Sequence, residues 1–247
     1  TIDVCVGQGA CPHTAVDCSD NNPCTNDSCS PATGCAHANN AASCTDNNPC
    51  TIGDVCNGGV CVPGSGALPR VAQVCNNTGI TIPDVGAATP YPSAIVVTGQ
   101  PSYLCSATVA LRGISHALPD DIDVLLARLT GNNALVMSDV GGVTGITGVN
   151  LTLSDAAAVS LPDAGPLVSG NFAPTNYGFG DVFPAPAPVP TGGSALSVFI
   201  GTNPNGTWNL WVDDAFTPEA GSLSGWCVIL VSVCTANADC NDGNVCT

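Results

Sequence analysis

Sixteen of the 247 residues are cysteine, and the even spacing of twelve of them constrains the fold more than any other feature. The segment Cys44-TDNNP-Cys50-TIGDV-Cys56-NGGV-Cys61 sets the pattern. Cys18-SDNNP-Cys24-TNDS-Cys29-SPATG-Cys35 repeats it, differing by one residue in the middle loop. The last residues, Cys240-NDGNV-Cys246-Thr247, and the first, Thr1-IDV-Cys5-VGQGA-Cys11, written head to tail give C-x5-C-x5-C-x5-C. Two ends that read as halves of one repeat predict one period of an array, or a subunit whose ends are completed by its neighbours. The junction would then involve Cys5, Cys11, Cys240 and Cys246.

Paired cysteines at this density point to disulfides formed in an oxidising compartment, hence a secreted or cell-surface protein. Zinc is the weaker alternative, because no C-x2-C knuckle with nearby histidines occurs. The charge balance narrows the partners further. Three arginines (Arg70, Arg112, Arg128) and no lysine face 19 acidic residues, a net charge of −16. Nucleic-acid binding and polybasic membrane contact both need a basic surface that this chain lacks. Calcium, a hard cation that takes carboxylate and carbonyl oxygens, is the natural partner; the alternative is that the charge only maintains solubility.

No segment is long and apolar enough to span a membrane. The chain opens on threonine with no visible leader, so mature material or an excerpt is expected. Three zones follow from composition. Residues 1–66 are cysteine-rich modules, the first a half module, poor in large apolar side chains and therefore dependent on cross-links. Pro63-GSG ends them as a linker. Residues 67–233 hold alternating apolar β-formers between turn residues, and residues 234–247 return to half a cysteine module, completed by the start of the next copy. Eight strands are predicted in the middle zone, starting at Ser93, Ser102, Asp121, Ala134, Val149, Ser194, Thr207 and Trp226. The expected class is all-β: a jelly-roll-like β-sandwich with small disulfide-rich modules at both ends. The alternating prolines of residues 181–190 predict an extended surface loop.

Ile114-SHALPDDIDVLLARLTG, Asn203-PNGTWNLWVDDA and Gly221-SLSGWCVIL, in that order, resemble the P-domain (Homo B) β-sandwich that follows the catalytic domain of proprotein convertases and has relatives in bacterial secreted proteins. The resemblance spans about residues 71–232 and departs at Arg128-Leu129, where the family usually has a small residue followed by proline. It implies a non-catalytic domain that stabilises, binds or tethers. The modules resemble the CTDNNPCT repeats of bacterial and slime-mould extracellular proteins.

Asp120, Asp121, Asp123, Asp139, Asp213 and Asp214 lie at strand ends that a P-domain-like fold brings to one edge. They are expected to bind calcium, with turn-capping as the alternative. The Asp20-NNP, Asp46-NNP and Asn241-DGN loops are tight turns first and calcium loops second. His116 is expected to be structural: no G-x-S-x-G, H-E-x-x-H or lysine accompanies it, and no organic cofactor is implied. Trp211, beside Pro184, Pro186 and Pro188, is either a subunit contact or covered by its own loop. Cys75, Cys105, Cys227 and Cys234 allow three pairings. Asn26, Asn76, Asn150 and Asn205 are sequons open to glycans. The expected function is a non-catalytic extracellular structural protein, one unit of a filament or stalk assembled head to tail with copies of itself. The alternative is a binding or stabilising appendage of a secreted hydrolase or adhesin.

Overall fold

The computed structural model describes residues 17–233 apart from 31, 49, 52, 65–69, 179 and 192, together with residues 2–3 and 13–14. Cys5, Cys11, Cys234, Cys240 and Cys246 lie outside the described residues, and with them the junction and whichever sandwich pairing involves Cys234. The chain divides into two compact units, Thr1–Leu68 and Pro69–Thr247. No α-helix occurs among the described residues.

The first unit contains the short pair β1 (Ile2–Asp3) and β2 (His13–Thr14), the hairpin of β3 (Thr25–Ser30) with β4 (Gly34–Asn39), and that of β5 (Val55–Asn57) with β6 (Val60–Val62). Its only buried apolar residues among those described are Cys18, Cys24 and Cys56, so cystines stand where a core would be. Polar loops build the rest, and the two modules build them alike. In the first, the Asn22 N–H donates to Asp20 Oδ1 (2.9 Å) and the Cys24 N–H to Asn22 Oδ1 (2.9 Å). In the second, the Asn48 N–H donates to Asp46 Oδ1 (2.8 Å) and the Cys50 N–H to Asn48 Oδ1 (3.0 Å). Each is a double Asx turn, with Asn21 and Asn47 in the left-handed region at φ 58° and 62°. The turn-forming role of Asp-Asn-Asn-Pro therefore engages the carboxylate oxygens directly.

The second unit is a two-sheet sandwich. One sheet runs β10 (Ser93–Val97), β17 (Gly206–Asp214), β12 (Ile122–Arg128), β13 (Asn133–Ser138), β16 (Thr175–Asn176), with β9 (Gly86–Ala87) also on β17. The other runs β15 (Gly170–Phe172), β14 (Ile146–Ser154), β11 (Tyr103–His116), β18 (Gly221–Leu223), β8 (Ile80–Ile82). It is extended by β19 (Gly225–Val233), which pairs with both β11 and β7 (Arg70–Asn76). Alternate residues of the facing strands, among them Val124, Leu126, Leu210, Val109, Leu111 and Val228, fill one continuous core with Trp208 and Trp226 fully buried. Each indole N–H finds an acceptor, Trp226 on Ser93 Oγ and Trp208 on Pro204 O, both 2.9 Å away.

Two expectations are corrected here. Residues 194–200 are not a strand: Leu196–Phe199 form a 3-10 turn. The Asp155 carboxylate accepts the N–H groups of Leu196 (2.9 Å) and Ser197 (2.6 Å), which starts the turn, and Leu196 and Phe199 bury together three residues apart. Of the two readings of Trp211, subunit contact and loop-covered residue, the first is overturned and the second holds. The side chain lies on the outer face of its sheet but is only 5% exposed, packed with Leu125, Leu135 and Phe183 in a second small core. The proline-rich loop covers that face. Tyr91 stands edge-on to Trp211 at 4.8 Å and donates its hydroxyl to Pro184 O (3.0 Å); Asn133 Nδ2 donates to Val189 O (3.1 Å). Every residue of β12 and β13 is consequently buried. Pro186 is exposed and Pro184 and Pro188 are half-buried, on the loop that does the covering.

Arg128, the departure from the family pattern, has a structural role. Arg128 is 6% exposed, and its guanidinium lies 4.7 Å from the Trp208 ring centre and donates to Asn203 O, Asn205 O (2.7 Å) and Thr202 Oγ1 (3.3 Å). One buried cation thus fixes the 202–205 loop through hydrogen bonds and a π face.

Candidate functional site

The cystines of the first unit carry its organisation. Cys44 pairs with Cys61, the first and fourth cysteines of the second module. Cys18 Sγ meets both Cys35 and Cys29, although one sulfur makes one disulfide; Cys18–Cys35 is the pairing that the second module repeats. Cys24–Cys56 is different in kind. It joins the second cysteine of one module to the third of the next, across 32 residues. Around it Asn22 Nδ2 donates to Gly59 O (2.8 Å) and the Cys56 N–H to Ala42 O (2.9 Å), so the Asx loop of one module sits on the hairpin of its successor. Cys29 and Cys50 are disulfide-bonded as well. In the sandwich, Cys75 and Cys227 are direct cross-strand neighbours on β7 and β19 and are bonded, and Cys105 is also disulfide-bonded.

The six aspartates expected to form one calcium site separate into two groups. Consecutive strand residues face opposite sides of a sheet, so Asp213 and Asp214 cannot share a site. Asp214 is fully buried and bonds His116 Nε2 (2.9 Å), while His116 Nδ1 is 2.8 Å from Leu118 O. His116 thereby ties β11 to β17, a structural role, and Gly221 of β18 approaches its ring so closely that a Cβ there would collide with it. Asp121 belongs to this side; burial, then Asp214 and Glu219, push its carboxyl up. Asp120 is half-buried between the groups and is also raised, by burial first and then by Asp139.

The other group is on the outer face. Asp123 and Asp213 are direct partners across β12 and β17. Carboxylate oxygens of Asp123, Asp139 and Asp181 lie within 4.8 Å of one another. Ser138 Oγ is 2.6 Å from Asp123 Oδ1 and 3.1 Å from Asp139 Oδ2; with one proton it serves the nearer. Asn176 Nδ2 holds Asp181 Oδ2 at 3.1 Å. Burial pushes Asp123 up to about 7 and Asp213 to about 6, with neighbouring carboxylates adding to both. Asp181 was not legible in the sequence: it opens the proline-rich segment 181–190, after a glycine- and aromatic-rich stretch, and no spacing relates it to β12.

A cleft of about 490 Å³ opens beside His116, lined by Ser115, Thr147 and Ser222 among others and by no aromatic ring except the imidazole. Of the sequons, Asn26 and Asn150 are exposed. Asn76, Asn150 and Asn205 donate through their amide nitrogens within the fold, to Ala94 O (3.1 Å), Gly148 O (3.4 Å) and Gln100 O (2.7 Å).

Residues 17–39 match the family described as the Dictyostelium (slime mold) repeat, which covers the first complete cysteine module. No curated protein matches the chain. Among solved structures, the chain is similar to a serine protease of Aeromonas sobria, at 12% identity and a TM-score of 0.36, over 85% of this chain and 36% of that one. The same organism's protease in complex with its chaperone gives 13%, 0.35, 84% and 36%. The chain thus spans about a third of the length of these proteins.

Proposed function

We propose that the protein is a non-catalytic extracellular structural element, in which cystine-locked repeats act as a stiff connector and the sandwich as the bead, assembled with copies of itself into a filament or stalk. One observation carries the reading: Cys24–Cys56 joins successive repeats rather than closing each on itself. Repeats that only folded internally would swing like beads on a flexible linker. A cross-link between neighbours fixes their relative orientation, as a connector under load requires. The match of residues 17–39 to a repeat family and the disulfide density favour an oxidising, extracellular setting.

The sandwich is taken as P-domain-like because the three segments that resemble that family occupy β11–β12, β17 and β18–β19, which are neighbours in the sheets. Calcium is its proposed cation and exposed Asn26 and Asn150 its proposed glycan positions. Self-association is tested on non-reducing gels and by electron microscopy of the protein secreted from a eukaryotic host. A ladder of multimers that collapses to monomer under thiol is expected. A monomer under both conditions, with no elongated particles, contradicts the filament.

A further inference from the structure

We propose that Asp123, Asp139, Asp181 and Asp213 form a binding site for calcium at the end of the β12–β17 strand pair. The proposal rests on the calcium reading given above for the sandwich and is independent of the filament.

The geometry comes first. Three carboxylates from β12, the turn after β13 and the start of the proline-rich segment bring oxygens within 4.8 Å of one another. Calcium–oxygen distances of 2.3–2.6 Å place ligand oxygens about 3 to 5 Å apart around one ion. Carboxylates this close repel one another when ionised, a cation between them would offset that repulsion, and the chain has no lysine to supply one. Its one deeply buried arginine, Arg128, is engaged by the 202–205 loop.

A second observation points inward. Asp213 is 7% exposed, yet its Oδ1 has no hydrogen-bond partner. It stands directly across from Asp123, so both side chains leave the same face of the sheet, with Cβ atoms about 5 Å apart. A buried carboxylate oxygen without a donor is costly, and a cation would satisfy it. The backbone is shaped around the same place. Asp139 takes the left-handed conformation at φ 51°, and Gly178 packs against its carboxylate where any Cβ would collide. Both place the Asp139 carboxylate toward the loop that carries Asp181.

The donor set then selects the ion. It is all oxygen, which excludes soft metals. It comes from two strands and two irregular loops and is rich in charge, which suits the variable coordination of calcium better than the strict octahedron of magnesium.

The test uses the full chain stripped with chelator. Terbium, a calcium mimic, reports binding at this site by luminescence sensitised through Trp211, which shares the face of β17 with Asp213 two residues away. Calcium is expected to displace the terbium signal and to raise the melting temperature of the sandwich by several degrees. Asp181→Asn, in a half-buried loop position, is expected to weaken calcium binding at least tenfold, while Asp84→Asn, an exposed control of equal charge change, leaves it unchanged. No calcium-displaceable signal and no melting shift in the wild-type protein would overturn the proposal. So would equal calcium affinity in wild type and Asp181→Asn.

Discussion

The two units reach order by opposite routes. In the sandwich, 32 buried apolar residues form one core, and cystines are secondary to it. In the cysteine-rich unit the described strands of the β3–β4 hairpin carry almost no burial, and β4 is exposed along its whole length. There, order comes from cross-links and from side-chain oxygens capping backbone N–H groups. A short segment lacking large apolar side chains cannot offset the entropy of ordering its backbone, so the unfolded state must be restricted instead. The contrast teaches where each unit is vulnerable: the sandwich to cavities, the modules to reduction.

The largest expected separation is chemical. Thiol reduction under native conditions should speed proteolysis within residues 17–64 by at least a hundredfold, while the near-UV circular dichroism of Trp208 and Trp226 persists. Loss of both signals together would mean the sandwich also depends on its cystines. Next, Leu126→Ala and Trp226→Ala should each cost the sandwich about 3–5 kcal/mol in denaturant melts, with module protease resistance unchanged. Arg128→Met, which frees three acceptors of the 202–205 loop while keeping volume, should cost about 2 kcal/mol, and Arg128→Lys should recover little of it because the fork is lost.

The smallest effect is one of pH, and its sign differs between the units. Asp54 accepts the N–H groups of Asp46 and Gly64, which hold its carboxyl below the usual range. Its contribution is present above the ordinary carboxylate pKa and is lost as pH falls through the lower folded value. Asp123, at about 7, and Asp213, at about 6, do the reverse. Between about pH 4 and 7 the folded sandwich binds more protons than the unfolded chain, so its stability falls as pH rises. In chelator, the sandwich should melt several degrees lower at pH 8 than at pH 5. The modules should keep their protease resistance across that range, because the Asp54 contribution is lost only below the ordinary carboxylate pKa. Parallel slopes would contradict these assignments.

Much of this was legible in the sequence, because period-two alternation marks half-buried strands well: β10, β11, β12, β13, β14, β17 and β19 coincide with expected segments. The 194–200 segment misled because its apolar run lacks any mark of Asp155, whose two hydrogen bonds come from 41 and 42 residues away. Trp211 showed a different limit. Alternation identifies which face a residue takes, not whether a distant loop covers that face. The same limit hid the acidic site, since sequence pointed to Asp123, Asp139 and Asp213 but could not separate them from Asp214 or supply Asp181. The module pairing was beyond spacing altogether, because Cys24 has cysteines nearer in sequence than Cys56.

That pairing is therefore the place to test the account. Cleavage before aspartate of unreduced protein releases residues 20–26 with Cys24 as their only cysteine. Electron-transfer fragmentation of the cross-linked peptides should pair Cys24 with Cys56 of the following module. Cys24 joined to Cys18, Cys29 or Cys35 would mean that each module closes on itself, and the rigid connector would be contradicted.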